Sequence, residues 1–348
     1  MEQFPKITQI LNAAQHIVVV QADNPDGDSL GSALAMEHLL ADMGKQVSLY
    51  CGVDMPGYLQ YLTGWDRVVK ELPAKFDASI IVDASTLSLL EKLQQTGQLS
   101  WLAAKPCIVL DHHEKVEQII PFSEVMINDY KKSSTGELIY TIAEALEWKV
   151  SVAAQECMMT AILGDTQGLS NQLASADTYR IMGEMIKSGV DRPALEERRR
   201  EYSKMPRTIL AYKGRLLQRT QFDFEGTIAH VTIPQAEINE YSPLYNPGPL
   251  VQGDMLQATG VQIAIVFKSY DDGKVTGAIR CNPGYGVGAE LAEHMGGGGH
   301  AFASGFKVAD GKPFNEVKSE CLSYAQDLLS KLQTGNSDET IQYAYSTN

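Results

Sequence analysis

Asp111-His112-His113 sets a carboxylate and two imidazoles at the end of an apolar run, 107–110, and Asn24-Pro25-Asp26-Gly27-Asp28 sets two more carboxylates just after another, 17–21. A third run, 78–82, ends at Asp83, and Asp165 follows a stretch of helical pattern, 152–163. In an open parallel sheet ligands collect where strands end, so these exits point to one crevice. Carboxylates crowded there repel each other unless a cation neutralises them, and a set of oxygen and imidazole donors suits Mn²⁺, Mg²⁺ or Zn²⁺. Two ions explain the spacing better than one. In an extended Asp-x-Asp the side chains leave the same side several ångströms apart, which suits neighbouring ions separated by roughly 3.5 to 4 Å. Adjacent His112 and His113 point in different directions, so one can bind metal while the other faces a substrate.

The elements that must position these groups read as alternating strand and helix. Strands are expected at 17–21, 47–51, 78–82, 107–110 and 125–127, and helices at 30–43, stopped by Gly44, and at 138–146. This is an α/β layer fold. Helical patterns dominate from 152 to about 202, where Asp191-Arg192-Pro193 reads as an N-cap with proline in the first turn. A second, smaller α/β domain follows, with strands at 227–233, 261–267, 275–280 and 301–308 and helices at 287–294 and 313–332; Asp271-Asp272-Gly273 is a good hairpin turn. The expected division is a parallel-sheet domain over 1–190, a helical linker over 191–222, a second domain over 223–332 and a loose polar tail over 333–348. The active site is expected in the cleft between the two domains.

A chain of 348 residues is long enough for two cores. The formal net charge of -14 argues against gripping long duplexes through a broad basic surface, so short substrates fit better. The five cysteines form no Cys-x-x-Cys pair, so neither a disulfide framework nor a thiolate zinc site is implied. The amino terminus has no signal-like segment and no apolar run approaches the ~20 residues needed to span a bilayer, so a soluble cytoplasmic protein with no membrane partner is expected.

Taken in order, Asn24 to Ser32, Val82-Asp83, Asp111-His112-His113, Ser133-Ser134-Thr135, Gly164-Asp165-Thr166 and Gly296-Gly297-Gly298-Gly299-His300 resemble the DHH phosphoesterase superfamily, and within it the nanoRNase and pAp phosphatase group. The resemblance covers nearly the whole chain. It implies a DHH domain followed by a DHH-associated domain, and two-metal hydrolysis of short oligoribonucleotides or 3′-phosphoadenosine 5′-phosphate with two divalent ions, Mn²⁺ ahead of Mg²⁺. On this view Asp26, Asp28, Asp83, His112 and Asp165 are metal ligands: Asp83 bridges, Asp26 serves one ion, and Asp28, His112 and Asp165 the other. Asp83 and His113 are then the catalytic groups, His113 offsetting charge as it develops. Arg280, Gly298, Gly299 and His300 bind the substrate. Homodimerisation is left open.

Two departures stand out. The family's histidine two residues before Asn-Pro is replaced by Ala22, with Asp23 the nearest substitute ligand, and the glycine after Asp-Thr is displaced, Gln167 preceding Gly168. These keep alive a nucleotide-binding protein with a degenerate metal site, and a linear or cyclic dinucleotide phosphodiesterase is the nearest enzymatic neighbour. A pyrophosphatase is disfavoured by the glycine-histidine run, and a RecJ-like exonuclease by the further nucleic-acid modules it would carry. Plainer readings stand beside the functional ones: Asp28 as a helix cap, Asp83 as a loop acid, Asp165 as a turn cap, Gly296 to Gly299 as a flexible loop and Arg280 as an exposed edge-strand cation. Ser134-x-x-Glu137 reads as a capping box and Arg198-Arg199-Arg200 as a solvated helical face.

Overall fold

The computed structural model describes residues 3–113, 119–242 and 245–335. The chain divides into two compact units, one ending at Lys204 and the other beginning at Met205.

The first unit is built on six parallel strands: β1 (His16–Val20), β2 (Gln46–Tyr50), β3 (Val68–Val69), β4 (Ala78–Val82), β5 (Cys107–Asp111) and β6 (Val125–Asn128), in the spatial order β3-β2-β1-β4-β5-β6. Its helices are α1 (Phe4–Ala13), α2 (Gly27–Asp42), α3 (Glu91–Gln95), α4 (Leu99–Ala103), α5 (Thr135–Ala145), α6 (Val152–Asp165), α7 (Ala176–Lys187) and α8 (Arg192–Tyr202). Alternation along the strands covers both faces, as a parallel sheet requires. Ile17 and Val19 of β1 pack with Leu30, Leu34, Ile139 and Met158 of α2, α5 and α6. Val18 and Val20 pack on the other face with Leu90, Leu93 and Leu102. The strand order reverses between β1 and β4, so the carboxyl ends of these two strands flank the topological switch point.

Three helices meet unusually closely beside that point. A Cβ on Gly31 of α2 would stand 2.6 Å from the Cys157 carbonyl oxygen of α6, and one on Gly136 of α5 would stand 2.4 Å from the Ala161 Cβ. Glycine there lets the first turns of α2 and α5 approach α6, which carries Asp165 at its end. Gly31→Ala forces backbone apart from backbone, and overpacking of this kind costs about 1–3 kcal/mol. We expect that loss in urea unfolding at an unchanged slope; a loss below about 0.5 kcal/mol, the scatter of neutral surface changes, would show that the interface yields freely.

The second unit contains α9 (Arg207–Gln218), α10 (Gln235–Tyr241), α11 (Pro247–Leu256), α12 (Gly288–His294) and α13 (Phe314–Gly335) around β7 (Gln221–Asp223), β8 (Ile228–Pro234), β9 (Ile263–Ser269), β10 (Val275–Cys281), β11 (Gly298–His300) and β12 (Ala303–Val308). The sheet runs β11-β12-β10-β9-β8-β7, with β8 and β9 parallel and every other pair antiparallel. Ile263, Ile265 and Phe267 pack with α12 and α13, while Ala264 and Val266 pack with α9 and α11. The α/β class is as expected. The stretch 191–222 is shared, α8 closing the first unit and α9 opening the second, and α13 continues to Gly335, into the stretch expected to be loose; residues 336–348 lie outside the described residues.

Candidate metal centre

Asp28, Asp83, His112, His113 and Asp165 come together beyond the carboxyl ends of β1, β4 and β5. Asp28 lies in the first turn of α2 and is buried, and its carboxylate accepts from the backbone N–H of Thr135 at 2.7 Å and of Gly136 at 3.0 Å. Those are the unpaired donors at the start of α5, so a helix N-terminus holds this carboxylate. Ser32 Oγ donates to the same group at 2.9 Å. Asp83 follows β4 with φ of 56°, a left-handed conformation that aspartate tolerates and that fixes where its carboxylate goes. Thr135 Oγ1 donates to its Oδ1 at 3.2 Å.

The two imidazoles are oriented from behind. His112 Nδ1 donates to the Lys132 carbonyl at 3.3 Å, leaving Nε2 3.0 Å from Asp165 Oδ2, 3.4 Å from Asp28 Oδ2 and 3.8 Å from Asp83 Oδ1. That Nε2 is buried and without a well-aligned hydrogen bond, although three carboxylates surround it. A metal-ligating histidine is held this way, one ring nitrogen on a carbonyl and the other free for the ion. His113 Nδ1 is 2.7 Å from Asp111 Oδ1, and its ring, tilted against that of His112, is half exposed.

The electrostatics suit a bound cation. Burial first, then the charges of Asp28, Asp26 and Asp165, raise the Asp83 carboxyl well above the usual range. Burial likewise pushes Asp165 up to about 7, against the pull of His112. Burial opposes charge on His112, but the carboxylates of Asp165 and Asp28 overcome it and raise the imidazole to about 9. For Asp111 burial is outweighed by His113, and the carboxyl is held below its ordinary value; His113 is correspondingly raised, first through its contact with Asp111. Crowded carboxylates that retain protons are what a divalent ion would displace. The donors form two groups close enough to ligate: Asp28, His112 and Asp165, and Asp83, His112 and His113. Oxygen with imidazole fits Mn²⁺ or Mg²⁺ better than a thiolate-seeking metal.

Some readings of the sequence change here. Asp26, rather than Asp28, caps α2: its side chain accepts from the Ser29 N–H at 3.0 Å, and the helix starts at Gly27, earlier than its apolar pattern. Burial raises the Asp26 carboxyl, yet it joins neither three-donor group among the described residues. Asp23 turns away to accept from the Lys92 N–H of α3 at 2.7 Å, and Ala22 packs into the apolar cluster with Tyr50 and Leu90. Neither refills the place of the absent histidine. Asp165 is the last residue of α6, and the displaced glycine is accommodated because Gln167 itself takes a left-handed φ of 51°. The Ser134 side chain caps α5 through the Glu137 N–H, but Glu137 answers Ser133 instead of Ser134, so the box is not closed.

Other positioning groups escape sequence reasoning. Buried Glu137 accepts from Ser133 Oγ at 2.5 Å and Thr178 Oγ1 at 2.7 Å and lies 3.3 Å from Lys132 Nζ, pinning the loop whose carbonyl holds His112. The sequence pointed to it only as the partner of Ser134 in a capping box. Asp111 was read as part of the tripeptide without the orienting role its contact with His113 gives it.

In the second unit, Arg280 sits in β10, an interior strand between β9 and β12, half-buried and donating to the Ile279 carbonyl at 2.9 Å; it is not an edge-strand cation. His300 itself ends the short strand β11, and the strand expected after it begins at Ala303 as β12. Gly298 and Gly299 belong to the same strand, so the glycine run is in part a hairpin arm and not a free loop. A Cβ on Gly299, at φ of 136°, would stand 2.6 Å from the Ser304 Cα of β12. Arg280 and His300 are register partners of the same residue, Ala303, from its two sides.

Comparison with known proteins agrees with this geometry. The DHH family, N-terminal domain, matches residues 16–162. The bifunctional oligoribonuclease and PAP phosphatase NrnA of Thermus thermophilus is 23% identical over 311 residues, covering 87% of this chain and 88% of that protein. A probable NrnA of Streptococcus mutans is 22% identical over 306 residues, covering 88% and 93%. The crystal structure of an exopolyphosphatase-related protein from Bacteroides fragilis shares the fold, with a TM-score of 0.82 at 21% identity over 95% of this chain and 98% of that one. Residues 16–162, which carry Asp28, Asp83, His112 and His113, thus match the N-terminal domain of the DHH family, and over most of its length the chain is similar to proteins named as oligoribonuclease and PAP phosphatase.

Proposed function

We propose that this hydrolase cleaves short oligoribonucleotides and 3′-phosphoadenosine 5′-phosphate with the help of divalent ions, Mn²⁺ foremost. The observation that carries the reading is His112 Nε2, buried, without a well-aligned hydrogen bond and within 4 Å of Asp28, Asp83 and Asp165. The activities in the names of the NrnA relatives supply the substrate class. Asp28, His112 and Asp165 would hold one ion, Asp83 would be shared, and Asp26 would serve a second. When bound, such ions supply Lewis acidity and offset charge on phosphoryl oxygens.

The chain's own groups do the rest. The α5 N-terminus holds Asp28 still, and Thr135 Oγ1 orients Asp83, so the negative groups are set before substrate arrives. Asp111 lies against His113 Nδ1 and raises the imidazole, favouring the form in which the opposite nitrogen, Nε2, also carries a proton to offer to a phosphoryl oxygen. From the second unit, Arg280, Gly298, Gly299 and His300 would contact the substrate, a guanidinium and backbone N–H groups being suited to phosphate.

Purified protein supplied with Mn²⁺ and assayed in parallel on dinucleotides, longer oligomers, 3′-phosphoadenosine 5′-phosphate, cyclic dinucleotide and pyrophosphate tests this reading. Dinucleotide and bisphosphate should turn over fastest, with rates falling as oligomers lengthen. Faster cleavage of a long single strand, of cyclic dinucleotide or of pyrophosphate would replace it. Because Asp26 lacks the histidine partner, its ion should be held more weakly: metal titration should show a tight and a weak phase, and Asp26→Ala should remove the weak one alone. Loss of both phases would place Asp26 in the tight site.

A further inference from the structure

Beside the carboxylate cluster, the first unit carries a cavity of about 580 Å³, a size typical of small-molecule sites. It adjoins the centre directly: Gly27, between Asp26 and Asp28, lines it, and so does Gly164, which precedes Asp165. Its other walls include Arg192, Arg199 and Arg200 of α8 with Glu196 and Tyr61. In a chain of net charge -14, three arginines against one glutamate make a local positive excess next to the carboxylate cluster. The run Arg198-Arg199-Arg200 is therefore not a uniform solvated face. Arg198 turns to Glu156, whereas Arg199 and Arg200 share Glu196 and face the cavity.

The guanidiniums keep donors in reserve. Arg199 donates Nε and Nη2 to Glu196 at 2.8 and 2.7 Å, Arg200 donates only Nε at 3.0 Å, and Arg192 makes no ion pair among the described residues. A planar guanidinium fork matches the oxygens of a phosphate. Tyr61 and Leu163 add apolar wall, as a nucleoside would need.

We propose that this cavity is a subsite for a second phosphate of the substrate, a terminal phosphomonoester carried by the same nucleotide close to the bond that is cut. It rests on the phosphoesterase reading of the adjoining centre and deepens it: the enzyme then selects doubly phosphorylated nucleotides and 5′-phosphorylated dinucleotides over their unphosphorylated counterparts. Glu196 acts as an internal competitor for the arginines, which the incoming phosphate displaces.

The test uses the full-length wild type, an Arg199→Gln/Arg200→Gln double variant and Glu196→Gln. Calorimetry without added metal measures binding of adenosine 3′,5′-bisphosphate, adenosine and inorganic phosphate; kinetics with Mn²⁺ compare a dinucleotide with and without a 5′-phosphate. Each lost charged contact to phosphate weakens binding by roughly tenfold or more, so the double variant should bind the bisphosphate at least about tenfold more weakly. Its preference for the 5′-phosphorylated dinucleotide, the ratio of the two kcat/KM values, should fall by about as much. Glu196→Gln should tighten bisphosphate binding, which a merely structural glutamate would not do. Wild-type affinity in the double variant, or an unchanged preference, overturns the subsite. Inorganic phosphate bound as tightly as the bisphosphate overturns it in favour of a free-anion site. If the wild type cleaves no nucleotide, the phosphoesterase reading has failed, and calorimetry still decides the subsite separately.

Discussion

Asp83→Asn should lower dinucleotide hydrolysis on the order of a thousandfold, the scale seen when one preorganised charge-stabilising group is removed. The substitution keeps an oxygen that can accept from Thr135 Oγ1, and asparagine tolerates the left-handed backbone at this position. What it removes is the negative charge. Burial and the neighbouring aspartates make that charge costly in the absence of metal, so the variant should also unfold at higher denaturant without added ions. Loss of activity with gain of metal-free stability is the signature of a ligand position held under repulsion. Turnover within about tenfold of wild type, roughly 1.4 kcal/mol of barrier, would remove Asp83 from the centre.

The second large effect is on stability against pH. Asp165 titrates at about 7 and Asp83 well above the ordinary carboxyl range, so between pH ~4 and these values the folded chain holds protons that the unfolded chain has released. His112 at about 9 retains its proton above the ~6.5 of an unfolded histidine, and its stabilising contribution, complete below ~6.5, is lost as pH rises through that higher value. Both act in one direction. Where the folded state binds more protons, stability falls as pH rises, so the metal-free protein should lose on the order of 3 kcal/mol between pH ~5 and ~9. Divalent ions should reverse the loss, by about 2.7 kcal/mol at a hundred times the dissociation constant, and more at pH ~8 than at ~5 because ligands must be deprotonated. Thermal midpoints measured across pH with chelator and with Mn²⁺ check this. A flat chelated profile, or equal metal shifts at both pH values, would contradict it.

The parts of the site that were legible are those written in side chains at strand ends. Runs such as 107–110 are apolar because both faces of a parallel strand are buried, and the first polar residues after them lie at the carboxyl edge where ligands bind. Asp83 and His112 could therefore be read from position alone. The start of α2 was hidden because its first turn holds functional polar residues, so its apolar pattern begins only at Leu30. The grip of α5 on Asp28 was hidden for a different reason: the donors are backbone N–H groups, which carry no residue code. Glu137 was legible only as a capping residue because its partners, Thr178 and Lys132, are supplied by tertiary contact. In the second unit, the glycine run suggested an open loop, and only the pairing of β11 with β12 reveals how little room a side chain would have.

Anomalous diffraction at the manganese edge, from crystals grown with Mn²⁺, tests the central claim most directly. A strong peak shared by Asp28, His112, Asp165 and Asp83 is expected, with a weaker peak toward Asp26, and loss of the strong peak in Asp83→Asn. A peak elsewhere in the chain, or none at these four residues at saturating Mn²⁺, would contradict it.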